Sequence, residues 1–273
     1  MSDTRYTALV LAATRGNLDP LAQAGGVSHK CFIDIAGQPM LRRVVEAVAE
    51  SGRVGRIIVM IEEASIPEAR ELLAPLPGSD EFIYTPSGAN IAASVNSAGE
   101  RFPEAVPLII TTGDNALHTA EMVRYFCDAL DPVIAAGYDG AIGLTPAQSV
   151  LDKYPDGNRA FHRFRDGAFS SCNLYALVTP EAIKRAPAIF ETGGQFGKKP
   201  KRLIGAFGLV AFLLYKSRML RLATLIRLLG RGLGLRVAPV RMPFAEGPID
   251  VDRMQDWELA NRIVAAREAA PTA

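Results

Sequence analysis

The sequence predicts an α/β fold, a mostly parallel central sheet flanked by helices, and three observations lead to it. Tyr6 to Ala13, Arg56 to Ile61 and Val106 to Thr112 are short continuous apolar runs, as expected of strands buried on both faces. Segments with helical apolar spacing separate them, at the interval of βαβ units. Finally, 273 residues, 49% of them hydrophobic, suffice for one large core without disulfide staples.

Taken in order, Tyr6 to Ala13 is the first strand and polar Thr14-Arg15-Gly16-Asn17 ends it. Cys31 to Ile35 reads as a short strand closed by Ala36-Gly37-Gln38-Pro39, with Pro39 suited to the first turn of a helix over Met40 to Ala49. Arg56 to Ile61 is the next strand, Pro67 to Leu73 a short helix, Phe82 to Tyr84 a strand and Ala89 to Ala98 a helix. Val106 to Thr112 stops abruptly at Gly113-Asp114-Asn115, and Thr119 to Leu130 has helical spacing. Beyond this, Asp166-Gly167 between Phe161 to Phe164 and Ala168 to Val178 signals a hairpin. Arg218 to Leu229 reads as a helix, Leu235 to Val240 as a strand, Pro248 to Asp252 as a loop and Met254 to Glu268 as a closing helix. With no internal repeat or long linker, one domain over 1–273 is expected.

Composition excludes several classes. Thirty Lys+Arg against 29 Asp+Glu give a net charge of +1, which does not suit a nucleic-acid coat. Three scattered cysteines, Cys31, Cys127 and Cys172, do not form a disulfide framework or zinc site and read as packing residues. Met1-Ser-Asp-Thr-Arg-Tyr leads into a strand without a basic n-region or cleavage site, so a cytoplasmic protein is expected.

Chemistry is expected in the turns that follow the first and central strands, because ligands of open α/β sheets bind at the carboxyl ends of strands. Ala12-Ala13-Thr14-Arg15-Gly16, with Lys30 following 15 residues after Arg15, offers backbone N–H groups and two cations to a polyphosphate. An ordinary turn with solvent-facing Arg and Lys has the same composition. Asp114 could hold Mg²⁺ against phosphate oxygens or simply cap the next helix. Asp250 and Asp252 could supply a second carboxylate. His29 beside Lys30 is a phosphate-contact candidate, whereas His118 and His162 read as surface or capping residues.

Four motifs together, LVLAATRG, SHKCFIDIAGQPMLRRVVEAV, IITTGDNAL and PIDVDRMQDWELA, resemble the MobA-like nucleotidyltransferases, relatives of molybdenum-cofactor guanylyltransferases and sugar-phosphate cytidylyltransferases. The resemblance covers residues 6–130 and 235–268 and implies a Rossmann-like GT-A fold. It also implies Mg²⁺-dependent transfer of an NMP, CMP or GMP, from an NTP to a phosphorylated small-molecule acceptor. On the matching positions it makes Arg15 and Lys30 catalytic, and Asp114 and Asp252 metal ligands with Asp250 a further candidate. It assigns Ala12, Ala13, Thr14, Arg15, Asn90, Ser94 and Gly113 to the nucleotide and Asn173 to the acceptor. The chain departs from the family loop L-A-A-G-x-G-x-R by carrying Thr14 for the first Gly. A β-branched residue resists positive φ, so the loop must take another route or hold phosphate less closely, with Gly25-Gly26 the candidate to complete the cradle.

Charge is segregated along the chain. No Asp or Glu lies between Glu191 and Glu246, whereas Lys198, Lys199, Lys201, Arg202, Lys216, Arg218, Arg221, Arg227, Arg231, Arg236 and Arg241 all do. Without those 11 cations the remainder has 19 bases against 29 acids, a net of −10. Residues 190–234 read as a basic amphipathic helical insertion, with Arg218, Arg221, Arg227 and Arg231 on one half of a helix. Three roles suit it: a solvated core helix, a cradle for a phosphorylated acceptor, or contact of 198–241 with an anionic membrane surface. Leu203 to Tyr215 is apolar throughout, too short to span a bilayer, and asks for a partner surface such as a second copy. A GT-A glycosyltransferase and a non-catalytic nucleotide-binding scaffold are the alternatives, the first disfavoured by the lack of a D-x-D after the central strand.

Overall fold

A computed structural model describes residues 5–14, 19–155, 160–185 and 215–269. Its main sheet contains β1 (Tyr6–Leu11), β4 (Val54–Ile61), β5 (Ile83–Pro86), β6 (Leu108–Thr112), β7 (Gly140–Pro146), β8 (His162–Phe164), β9 (Gly167–Leu177) and β10 (Val237–Arg241). The order is β10-β7-β9-β6-β1-β4-β5, with β8 on β9. β1 pairs in parallel with β4 and β6, β4 with β5, and β7 with β10. β9 alone runs against these neighbours, antiparallel to β6, β7 and β8. The carboxyl ends of β1, β4, β5 and β6 therefore lie along one edge.

Alternation along β1 explains the two covered faces. Ala8 and Val10 join Val59, Ile61, Val44, Val48, Phe126 and Leu130 under α2 (Met40–Ala49) and α5 (Ala120–Ala135). Leu9 and Leu11 join Ile58, Met60, Ile110, Val95 and Ala98 beneath α4 (Ile91–Arg101). In the numbering used here α1 is Pro20–Gly25, α3 is Ile66–Leu73, α6 is Ala147–Lys153, α7 is Leu222–Gly232 and α8 is Met254–Ala269. α8 packs Ala260, Ile263 and Val264 on Ile33, Ile35, Met40, Ile249 and Val251, which joins the end of the chain to the segment after Lys30.

Several sequence expectations change. Cys31 to Ile35 is a 3₁₀ turn over Lys30–Phe32 followed by β2 (Asp34–Ile35), which pairs with β3 (Gln38–Pro39). His29 makes the turn, its Nδ1 accepting the Cys31 N–H at 3.0 Å. β7 and α6 were not anticipated, because Gly140, Gly143 and Pro146 break up the apolar run that would mark a strand. Gly140 is required by packing: a Cβ there would lie 2.6 Å from the Ala176 carbonyl oxygen of β9.

The basic helix is shorter than its periodicity suggests. It starts at Leu222 with Arg221 as N-cap, and Arg218 lies before it in a turn at φ +60°. Its apolar side is already filled: Leu222, Leu225 and Ile226 pack on Leu144, Phe164 and Phe169. Lys198, Lys199, Lys201, Arg202 and most of the apolar run from Leu203 lie outside the described residues. Among the described residues no helix is long and apolar enough to cross a membrane.

Candidate active site

The site begins where β1 and β6 end side by side, with Leu11 in register with Thr112. The Gly113 N–H donates to the Leu11 carbonyl at 2.8 Å and the Ala12 N–H to that of Met60 at 2.8 Å, so the two turns continue the sheet. Gly113 permits the closeness, since a Cβ there would come within 3.0 Å of the Ala12 Cβ and the Cys31 Sγ. The Cys31 thiol is buried and donates to the Ala12 carbonyl at 3.3 Å; burial pushes its pKa up, which leaves a packing group and not a nucleophile.

The adjacent Lys30 side chain is carried into the turn between these strands. Its Nζ lies 3.1 Å from Asp114 Oδ2 and 2.6 Å from Asp252 Oδ1, joining groups 84 and 222 residues away in sequence. Lys30 is 9% exposed. Burial disfavours its charge, but Asp114 and Asp252 outweigh that cost and hold its pKa above the ordinary value, so it stays an ammonium ion. Asp114 is fixed from its other side by the Thr112 hydroxyl, donating to Oδ1 at 2.5 Å.

A second group continues from the first. Asn115, fully buried, donates from Nδ2 to Asp114 Oδ1 at 3.3 Å and accepts at Oδ1 from Asn173 Nδ2 at 3.2 Å. The same Asn173 nitrogen lies 3.4 Å from Asp250 Oδ2. The register between β7 and β9 breaks here: Ile142 faces Tyr175 while Leu144 faces Ser171. Two extra residues are thus accommodated on β9, and Asn173 takes a left-handed φ of +51° in that bulge. A bulge re-aims a side chain, and Asn is among the few residues that tolerate the conformation.

On the other flank the route of the Thr14 turn is fixed by Glu62, the residue after β4. Glu62 Oε1 accepts the Thr14 N–H at 2.8 Å and its hydroxyl at 3.1 Å. Its Oε2 lies 3.0 Å from His29 Nε2, which carries the ring proton because Nδ1 accepts from Cys31. Asn90 caps α4 by accepting the Ala93 N–H at 2.9 Å, and the Ser94 hydroxyl accepts the Gly88 N–H at 2.9 Å, so both shape the turn after β5. Gly26 ends α1 at φ +65° with its N–H turned back to helix carbonyls, so it caps that helix. Ala13 is exposed, and Arg15 lies outside the described residues.

Residues 8–222 match the family described as the MobA-like NTP transferase domain. The chain belongs to that family. Among curated relatives, 2-C-methyl-D-erythritol 4-phosphate cytidylyltransferase of Streptomyces avermitilis is 28% identical over 153 residues, 55% of this chain and 57% of the relative. The enzyme of the same name from Frankia casuarinae is 29% identical over 189 residues, 68% of this chain and 63% of the relative. The matches therefore span about three fifths of these relatives' length. A hypothetical transferase structure from Thermus thermophilus superposes with a TM-score of 0.75 at 25% identity, covering 93% of this chain and 100% of that one. The mostly parallel, Rossmann-like sheet with flanking helices is shared with that structure.

Within this MobA-like frame, the loop bearing Asp250 and Asp252 is held by residues to which the sequence reading assigned no such role. The Val251 N–H donates to the Asp114 carbonyl at 3.0 Å. His118, read from sequence as a surface or capping residue, is buried and donates from Nε2 to the Gly247 carbonyl at 3.1 Å. Burial lowers its pKa to about 4, so it is neutral. Glu246, buried, accepts from Lys153 Nζ and Tyr154 Oη, each at 2.6 Å, and Arg267 lies 3.7 Å away. Burial raises the Glu246 pKa, but these donors more than reverse it and keep the carboxylate ionised. Asp256 accepts the Arg253 N–H at 3.0 Å and starts α8. Glu62 and Glu246 had no motif to mark them; Asn115 lay in the IITTGDNAL motif, directly after Asp114, but was given no role.

Proposed function

We propose that this chain transfers a cytidylyl group from CTP to a phosphorylated small-molecule acceptor and releases pyrophosphate. One observation carries the reading. Lys30, Asp114, Asn115, Asn173, Asp250 and Asp252, drawn from four separate parts of the chain, form one continuous polar network at the carboxyl ends of β1 and β6. The cytidylyltransferase names of the curated relatives favour CTP over GTP.

In this reading an acceptor oxygen attacks the α-phosphorus in line. The new P–O bond forms as the bond to the oxygen bridging to the β-phosphorus breaks, and pyrophosphate departs with that oxygen. Positioning and charge do most of the work. Lys30, kept protonated by its two carboxylates, is assigned to phosphate charge, and Arg15 to the same task. The turns at Ala12, Ala13, Thr14 and Gly113 form the floor under the triphosphate, with Asn90 and Ser94 on the side of the base and ribose. Asn173 and Asp250 orient the acceptor.

Asp114 and Asp252 suit Mg²⁺. They are hard oxygen donors already converging on one cationic atom, Lys30 Nζ, and Mg²⁺ commonly takes one or two carboxylates with substrate oxygens and water. Among the described residues no cluster of three or more His, Cys, Asp or Glu could hold a metal, so the proposed site has two protein carboxylates, with substrate oxygens and water to complete the shell. Bound there, the ion would neutralise triphosphate charge.

The test is pyrophosphate release from the purified protein with CTP, GTP, ATP or UTP, Mg²⁺ and a panel of sugar and polyol phosphates. CTP is expected to exceed the others at least tenfold, and Asp114→Ala to abolish release. Equal use of all four nucleotides, or full activity in Asp114→Ala, would overturn the proposal.

A further inference from the structure

We propose that the corner formed by the β8–β9 hairpin and residues 216–221 docks on an anionic lipid surface, with the Asn173 side of the site turned toward it. The inference does not depend on the reaction assigned above. Two segments distant in sequence build the corner. The Arg165 N–H donates to the Leu220 carbonyl at 2.9 Å, the Leu222 N–H donates to Asp166 Oδ1 at 2.9 Å, and His162 Nδ1 lies 2.8 Å from the Tyr215 hydroxyl. Arg163 and Arg165 from the hairpin, and Lys216, Arg218 and Arg221 from the other segment, are all exposed. None of the five forms an ion pair with a described carboxylate, and Asp166, next to Arg165, has one oxygen committed to the start of α7.

An apolar side chain accompanies the cations. Met219 is 64% exposed, the most exposed large hydrophobic residue among the described residues. Arg218 at φ +60° makes the turn that presents it. The apolar side of α7 is meanwhile occupied by the protein's own core, so insertion would fall to Met219 and not to the helix. A cluster of cations around one projecting apolar side chain complements anionic headgroups over a hydrocarbon layer. Topology orients the corner. Because β9 runs against β6, pairing Ile110 with Tyr175, its first residues and the β8 hairpin lie beyond the carboxyl end of β6, on the Asn173 side of the site.

Co-sedimentation of the whole protein with vesicles tests the proposal. Binding is expected to phosphatidylglycerol-containing vesicles and not to pure phosphatidylcholine, and to weaken as salt shortens the screening length. The triple variant Lys216→Ala, Arg218→Gly, Arg221→Ser suits the local backbone, with Gly at the left-handed position and Ser at the N-cap. At about fivefold per cation, it should bind roughly a hundredfold more weakly. Met219→Ser should bind several-fold more weakly, and Arg262→Ala, exposed on α8, should match the parent. Circular dichroism of each variant reports folding. Absence of vesicle binding, equal binding to neutral vesicles, or a triple variant that binds like the parent would overturn the proposal. So would displacement by inorganic phosphate at constant ionic strength, which would mark a phosphate-ion site, or retention on heparin without vesicle binding.

Discussion

Replacing Lys30 with methionine keeps the volume of the side chain and removes the ammonium ion held between Asp114 and Asp252. At 2.6 and 3.1 Å, and with an effective dielectric constant near 20, each contact is a gross attraction of roughly 5–6 kcal/mol. Most of this is offset by the desolvation of a buried ammonium ion, and the Asp252 side chain is 59% exposed, so its share is screened further. The net loss of stability should be about 2 kcal/mol, or about 4–8 °C in Tm for a chain of this size. The two carboxylates would then lose the ammonium ion they share, and a divalent cation should replace that charge. Thermal unfolding with and without 10 mM Mg²⁺ reads this directly: Mg²⁺ should restore at least half of the lost Tm in Lys30→Met and change the parent little while nucleotide is absent. Equal Tm for parent and variant, or equal stabilisation of both by Mg²⁺, would refute the argument. The pH dependence has a defined sign. Because the Lys30 pKa is raised, its stabilising effect is fully present below the ordinary value of 10.5 and is lost only as pH rises beyond it. The Lys30→Met deficit should therefore stay constant between pH 7 and 9.

Asn173→Gly retains a residue suited to φ +51° and should change stability by no more than about 1 kcal/mol, while raising KM for the acceptor about tenfold and leaving KM for CTP unchanged. The neutral buried His118 must gain a proton on acid unfolding, so stability should fall by about 3 kcal/mol as pH drops from 6.5 toward about 4. His118→Gln, which keeps a donor for the Gly247 carbonyl, should flatten that slope in urea titrations at pH 7 and 5. Glu62→Gln sets an amide N–H₂ against the His29 Nε2–H; KM for CTP should rise about tenfold with kcat within twofold, since Glu62 supports the loop without reaching the reacting atoms. Gly113→Ala should cost about 1–3 kcal/mol by calorimetry and at least tenfold in activity, because its Cβ would push apart the turns after β1 and β6.

The parallel half of the sheet was legible because both of its faces are covered, which writes continuous apolar runs into β1, β4 and β6. The first strand of the other half was not, since β7 must let β9 approach closely and spends glycines on that contact. Helix ends were legible where a side chain caps, as at Asn90 and Thr119, and were misjudged where a backbone turn decides, as at Arg218. Residue types for the candidate site could be named from motifs, but their connection could not. Asn173 reaches Asp250 through a strand bulge, and bulges depend on the neighbouring strand's register and not on local composition.

Thr14 shows how a departure from a family pattern is resolved by structure. Glycine in such a loop supplies conformational freedom, and losing it would ordinarily loosen the hold on phosphate. Here the turn is instead tied down from the neighbouring strand, with both Thr14 donors on one Glu62 oxygen and the other oxygen on His29. A glycine could not provide the hydroxyl that makes this second bond. His29 in turn builds the 3₁₀ turn that carries Lys30 to Asp114 and Asp252. The change at position 14 and the placing of Lys30 are thus one connected device. Restoring glycine at position 14 alone would remove a contact from that device without recreating the family's loop.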